Sequence, residues 1–162
     1  MSEPFETDGR GRKRNSCKAI IVMEGRLLLT VNRDRQGDFY LLPGGGQRFG
    51  ETLTEALCRE VLEETGWVIE PGRLILARDY IGANHEFAEW EGDVHQTELV
   101  FLARPVHRKD VQRVPDPWQT GIEWVSPEAL GRIRIYPSIL AGILPAVMSG
   151  EYEGPAYLGD VN

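Results

Sequence analysis

Gly45-Gly46-Gln47-Arg48-Phe49-Gly50-Glu51-Thr52-Leu53-Thr54-Glu55-Ala56-Leu57-Cys58-Arg59-Glu60-Val61-Leu62-Glu63-Glu64-Thr65-Gly66-Trp67 is the stretch on which the reading of this chain turns. Thr52-Leu53-Thr54-Glu55 has the form of a capping box, in which a hydroxyl and a carboxylate satisfy the free N–H groups that open a helix. Gly66 is placed to close that helix in the left-handed conformation. The spacing predicts a helix over 52–65, entered from a sharp turn at Pro43-Gly44-Gly45-Gly46. Within it Glu60, Glu63 and Glu64 stand at i, i+3 and i+4, which places all three on one side. Followed backwards at helical period, the same stripe runs through Leu57 and Leu53, so the acids continue an inward-facing surface.

Such a cluster is costly. The last turns of a helix disfavour negative charge by roughly 0.3–1 kcal/mol per exposed group, and like charges at this spacing repel. Cations would offset both terms. An all-oxygen donor set selects magnesium, manganese or calcium over zinc. Magnesium held by a few carboxylates keeps positions open for water and phosphate oxygens, and it lowers the pKa of a bound water. The chemistry this favours is hydrolysis at phosphorus.

Outward from the helix, Ala19–Met23 and Arg26–Val31 read as strands joined by a tight hairpin at Glu24-Gly25. A loop over Asn32–Phe39 leads to a short strand at Tyr40–Leu42. Beyond the helix, Trp67–Ile69, Leu74–Ile81, Val94–Ala103 and Ile122–Val125 are rich in β-formers, with a proline-containing loop over Arg104–Thr120. Ser126-Pro127-Glu128 reads as an N-cap with proline at the first helical position, and Pro137–Met148 as a terminal helix. The first folded element is expected near Cys17, with residues 1–15 as a flexible polar tail and 16–162 as one domain. The order of elements implies an α/β domain with a mixed sheet and helices packed on it.

The chain has 162 residues, 41% of them hydrophobic, enough for one domain with its own core. Its formal charge of -7 argues against a nucleic-acid surface, which carries a basic surplus, but leaves a free nucleotide open as a substrate met by local cations. The two cysteines, Cys17 and Cys58, form no pairing motif, no apolar stretch is long and uninterrupted enough to span a bilayer, and no leader is apparent. A cytoplasmic address is therefore expected. Cys58 reads as a small buried hydrophobe.

Gly45, Glu51, Arg59-Glu60-Val61, Glu63-Glu64, Gly66 and Trp67 together resemble the signature box of the Nudix hydrolases. The match fills nine fixed positions across 23 of the 162 residues. Trp67 departs from the aliphatic residue usual there, which touches packing and leaves the acids intact. The resemblance implies an α/β/α sandwich with a mixed sheet between helices, and a magnesium-dependent pyrophosphohydrolase in which manganese can substitute. It implies Glu60 and Glu64 as principal metal ligands, Glu63 as a further ligand or water-positioning group, and the Gly45 carbonyl as a backbone ligand. Glu51 and Arg59 would hold the loop against the helix, and a homodimer would be in keeping with the family.

Members of that family often take one more carboxylate from outside the box. Glu98 is a candidate, as are Asp110, Asp116 and Glu123. The box handles metal and diphosphate and does not name the rest of the substrate. The first expectation is a nucleoside diphosphate linked to another moiety; the alternatives are a nucleoside triphosphate or, with less support, a ligand sensor without turnover. The ADP-ribose proline and the coenzyme A signature of related subgroups have no counterpart in Tyr80–Gly92 or Leu28–Leu42. His85, His95, Trp90, Trp118, Tyr80, Arg33, Arg35 and Arg78 carry no assigned role. The ending Tyr157-Leu158-Gly159-Asp160-Val161-Asn162 has no evident explanation at this level.

Overall fold

A computed structural model describes residues 11–110 and 116–162. Its framework is the first strand, β1 (Arg12–Met23), whose hydrogen bonds serve three neighbours. A tight turn at Glu24-Gly25, with both residues at positive φ (50° and 72°), reverses the chain into β2 (Arg26–Asp34). Mirror-image turns of this kind match the right-handed twist of the strands they join. The short strands β3 (Gly37–Leu41) and β4 (Gly44–Gly46) follow, then helix α1 (Leu53–Thr65). Strand β5 (Trp67–Ile81), a one-turn helix α2 (Ala88–Glu91), β6 (Val94–Arg108) and β7 (Gln119–Val125) come next. A 3-10 turn at Pro127–Arg132, β8 (Ile135–Tyr136), α3 (Leu140–Ser149) and β9 (Tyr157–Asp160) complete the described chain.

The sheet is mixed, in the order β8-β3-β2-β1-β6-β5-β9, with β4 added to β1 and β7 to β2. β1 runs parallel to β6, from Arg12 opposite Val94 to Ile21 opposite Ala103. Alternation along β1 divides the core. Cys17, Ala19 and Ile21 face α1, where they pack with Ala56, Leu57, Val61, Leu28, Ile69 and Phe101. Ile20 faces the other way, with Leu27, Leu29, Leu76, Val100 and the α3 residues Leu140, Leu144 and Val147. Both faces are therefore covered, which is why Ala19–Met23 reads as an unbroken apolar run instead of an alternating one.

Both ends of α1 follow the local signals. The Thr52 hydroxyl accepts from the Glu55 N–H at 3.2 Å, the Glu55 carboxylate accepts from the Thr52 N–H at 2.7 Å, and Gly66 closes the helix at φ 74°. Other boundaries move. β1 begins at Arg12, not near Cys17, because the start of β6 supplies a ladder for residues whose polarity conceals the strand; Arg12 N–H donates to the Asp93 carbonyl at 2.7 Å. Residues 1–10 of the expected tail lie outside the described residues. β5 passes through Pro71-Gly72 by register shifts, joining two runs that read as separate strands. β6 extends to Arg108 and β7 begins at Gln119, which shortens the expected loop at both ends; its residues 111–115 lie outside the described set. Ser126 opens a 3-10 turn without a side-chain cap, and α3 begins at Leu140, three residues beyond the expected start.

The polar ending, which has no explanation in the sequence, forms β9, a parallel strand added to β5, with the Ala77 N–H donating to the Ala156 carbonyl at 2.7 Å. Among the described residues no helix is long and apolar enough to cross a membrane.

Leu57, fully buried between α1 and β1, is a direct probe of this packing. Leu57→Ala is expected to cost about 2–5 kcal/mol, and Leu57→Met less than about 1.5 kcal/mol. Urea denaturation checks this: the midpoint should fall while the slope stays constant.

Candidate functional site

The glycine turn brings β4 beside β1, with Gly45 opposite Cys17 and Gly44 opposite Lys18. Helix α1 then lays its acidic side over the turn. At the centre is Arg59, whose guanidinium spends every donor group on the site. Nε and Nη2 grip Glu51 at 2.5 and 3.0 Å, Nη1 reaches Glu60 at 2.6 Å and Glu63 at 3.4 Å, and Nη2 also donates to the Gly46 carbonyl at 3.0 Å. Loop and helix are thus fastened through a planar fork that matches carboxylate geometry. Glu51 additionally accepts from the Arg48 N–H, and its carboxyl is held down to about 2, first by Arg59 and then by that backbone bond. These contacts join the loop that carries Gly46 and Glu51 to the helix that carries Arg59.

Glu60 occupies the space above Gly45. A Cβ built on Gly45 would lie 2.6 Å from the Glu60 carboxylate, so only glycine lets the backbone come this close. Glu64 reaches the neighbouring residue, accepting from the Gly44 N–H at 2.9 Å. Burial pushes the Glu64 carboxyl up to about 7; Lys18 and the Gly44 bond work against that rise, while Glu60 and Asp116 add to it. Glu63 is the most open of the three, with 46% of its side chain exposed.

Two residues that drew no attention in the sequence complete this corner. Lys18 donates from its ammonium to the Gly44 carbonyl at 2.7 Å, and Gln119 donates from its amide to the Glu64 carbonyl at 2.9 Å. Neither carries a local signal: each is defined by a partner 26 or 55 residues away.

Among the described residues no three His, Cys, Asp or Glu side chains already converge on a common point that could hold a metal. The acids lean on Arg59 instead. The donor set nonetheless fits a hard divalent cation. It is all oxygen, comprising the Glu60, Glu63 and Glu64 carboxylates and the backbone of the glycine turn, and the Glu60 carboxylate fills the cradle left by the missing Gly45 side chain.

Glu98 is placed elsewhere. It shares the parity of Val100 on β6 and so projects from the sheet face opposite α1. There it is 3% exposed, paired with Arg78 Nε at 2.8 Å and accepting from Gln96 at 3.1 Å. The structure does not bring it together with the α1 acids. Arg78, read as one of several arginines without a role, is itself buried, donates a second time to the Val161 carbonyl and lies over the Tyr80 ring. Of the other candidates, Glu123 accepts from Tyr40 at 3.0 Å, Asp110 is exposed, and Asp116 acts on Glu64 by charge. His85 and His95 are engaged by Asp160 and Asp79 at 2.6 and 2.8 Å. Tyr80 stacks on His85, whereas Trp90 and Trp118 are exposed.

The family model described as the NUDIX domain matches residues 12–146, which is most of the chain and contains the whole acidic site. This chain belongs to the Nudix family. Among curated proteins it is similar to the mouse 8-oxo-dGDP phosphatase NUDT18, with 31% identity over 99 residues, covering 57% of this chain and 27% of that protein. The chain therefore spans about a quarter of the length of that curated relative. Among solved structures, a NUDIX hydrolase from Nitrosomonas europaea superposes with a TM-score of 0.68 at 22% identity, covering 86% of this chain and 91% of that one. A MutT NUDIX hydrolase from Burkholderia pseudomallei gives 0.62 at 27% identity, covering 80% and 95%. These likenesses agree with a Nudix fold of mixed sheet between helices.

Two outcomes follow from this geometry. Gly45→Ala leaves an ordinary backbone conformation but drives the Glu60 carboxylate aside; manganese affinity, read by electron paramagnetic resonance, should drop roughly 10–100-fold while the melting temperature barely moves. The second concerns pH. In the metal-free folded state Glu64 keeps its proton up to about 7, and the unfolded chain releases it near 4.5. Between those values the folded state binds more protons, so stability falls as pH rises. Asp160 acts in a separate window: burial alone would raise its carboxyl, but hydrogen bonds from Asn84, His85 and the Ile81 N–H hold it at about 2, so its contribution is lost only below 3.8. Chelator-treated protein should therefore melt lower at pH 7.5 than at pH 5, and Glu64→Gln should flatten that slope.

Proposed function

We propose that this Nudix domain is a magnesium-dependent pyrophosphohydrolase that cleaves a phosphoanhydride bond in a nucleoside diphosphate linked to another moiety, with manganese as a substitute cation. The observation that carries this reading is the meeting of Glu60 and Glu64 with the glycine turn: one fills the cradle over Gly45, the other is bonded to Gly44. Glu60, Glu63, Glu64 and the Gly45 carbonyl would hold the metal, which when bound polarises phosphate oxygens and lowers the pKa of a coordinated water.

The remaining work belongs to the chain. Arg59 holds Glu51, Glu60 and Glu63 beside the glycine turn. Glu63, being open to solvent, has the freedom to orient an attacking water. Glu64, its carboxyl raised by burial to about 7, would have to ionise to ligate a cation. Glu98, locked to Arg78, serves this reading as a buried support of the sheet next to the site.

The curated relative's name gives a nucleoside diphosphate bearing an oxidised base, which supports a substrate built on the same unit. Retention of all four box acids weighs against a sensor without turnover. Turnover of nucleoside diphosphate sugars, dinucleotides, free nucleoside diphosphates and nucleoside triphosphates, with magnesium or with chelator, tests the proposal when both products are identified. Metal-dependent release of a nucleoside monophosphate is expected; tight binding with no turnover in any metal would contradict it. Glu64→Gln keeps side-chain size and should lose more than about 100-fold in turnover while remaining folded, since even supporting residues around a metal cost 10–100-fold.

A further inference from the structure

Lys18 is a half-buried cation at the edge of an acidic site in a chain of formal charge -7. A substrate carrying several phosphate charges meets a repulsive surface unless local cations receive it. Arg59 is unsuited to that task, because Glu51, Glu60, Glu63 and the Gly46 carbonyl already take all of its donor groups. Lys18 differs. Among the described residues its ammonium has one acceptor, the Gly44 carbonyl at 2.7 Å, and an ammonium carries three N–H donors.

Its position is as informative as its spare donors. Gly44 gives its carbonyl to Lys18 and its N–H to Glu64, so ammonium and carboxylate stand on the two sides of a single residue. Lys18 is also the principal opposite charge acting on Glu64. Lys18 shares the strand parity of Ile20, away from α1, but the Gly44 contact holds the end of its stem at the glycine turn, one residue from the Gly45 over which Glu60 lies.

We propose that Lys18 is a substrate-binding residue whose ammonium contacts a non-bridging oxygen of the diphosphate held over Glu60 and Glu64. This rests on the reading of the site as one for a metal-bound diphosphate. The plain alternative is a strut: Lys18 would do no more than hold the Gly44 carbonyl, and its loss would disturb the metal ligands without touching phosphate.

Calorimetric titration with inorganic pyrophosphate in magnesium, beside titration with manganese alone, separates the two. Lys18→Met should weaken pyrophosphate binding tenfold or more, on the scale of a lost charge-assisted hydrogen bond, and by several-fold more than it alters manganese affinity, which the loss of the charge beside Glu64 also touches. Lys18→Arg should retain pyrophosphate affinity within about threefold, because the cation remains. Lys18→Gln keeps a donor for the Gly44 carbonyl without the charge; it should behave like the methionine variant, and it carries the test if that variant does not fold. Unchanged pyrophosphate affinity in Lys18→Gln overturns the proposal, as does a parallel loss of manganese binding, which would mark a strut. Unaltered protein that fails to bind pyrophosphate in magnesium overturns it too. Pyrophosphate binding that depends on Lys18, in a protein that hydrolyses no nucleotide, would uphold Lys18 and sink the hydrolase reading alone.

Discussion

The Arg59 fork is the interaction on which the rest of the site depends. Three carboxylates in the last turns of a helix, with a fourth in the loop before it, form a local excess of negative charge that neither the helix dipole nor burial favours. Arg59 binds three of them and the Gly46 carbonyl at once. Its loss would leave Glu51 without the partner that holds its carboxyl at about 2 and would free the loop from the helix. Arg59 neutralises only part of the charge. Lys18 acts on the glycine turn, Arg48 acts on Glu51 from the exposed loop, and the remaining excess is what a divalent cation would meet.

Packing makes that arrangement possible. α1 is fixed along its length by Ala56, Leu57 and Val61 against β1, and its ends are set by a capping box and by Gly66. The acids are consequently presented by a rigid element. On the other side of the sheet a second polar group is equally fixed: Arg78 joins Glu98 to the Val161 carbonyl, and Asp160 collects the Ile81 N–H, Asn84 and His85. Breaking a buried pair of this kind leaves an uncompensated charge, so it holds β9 and β5 together even though its net worth over an apolar pair is small.

What was legible in the sequence is what local physics determines. The capping box, the closing glycine, the hairpin turn and the stripe of Glu60, Glu63 and Glu64 depend on neighbours within a few residues, and each took its expected form. What was not legible depends on distant partners. The start of β1 looks like a polar tail until Asp93 and Val94 lie beside it; the final strand has meaning only against Ala77 and Asp79. Lys18, alternating with apolar residues on a central strand, gives no sign that a glycine carbonyl awaits it. Glu98 is open in the sequence for the complementary reason: the face it takes, which it shares with Lys18, depends on strand parity, and parity relative to the core is not readable until the register is known.

Whether these carboxylates bind a divalent cation is decided by calorimetric titration of the metal-free protein with magnesium or manganese. Run near pH 6.5 in two buffers of different ionisation heat, it also counts protons. Saturable binding is expected, accompanied by proton release that disappears in Glu64→Gln, because Glu64 must ionise to ligate. A folded protein that binds neither cation at millimolar concentration would contradict the metal-ligand assignment.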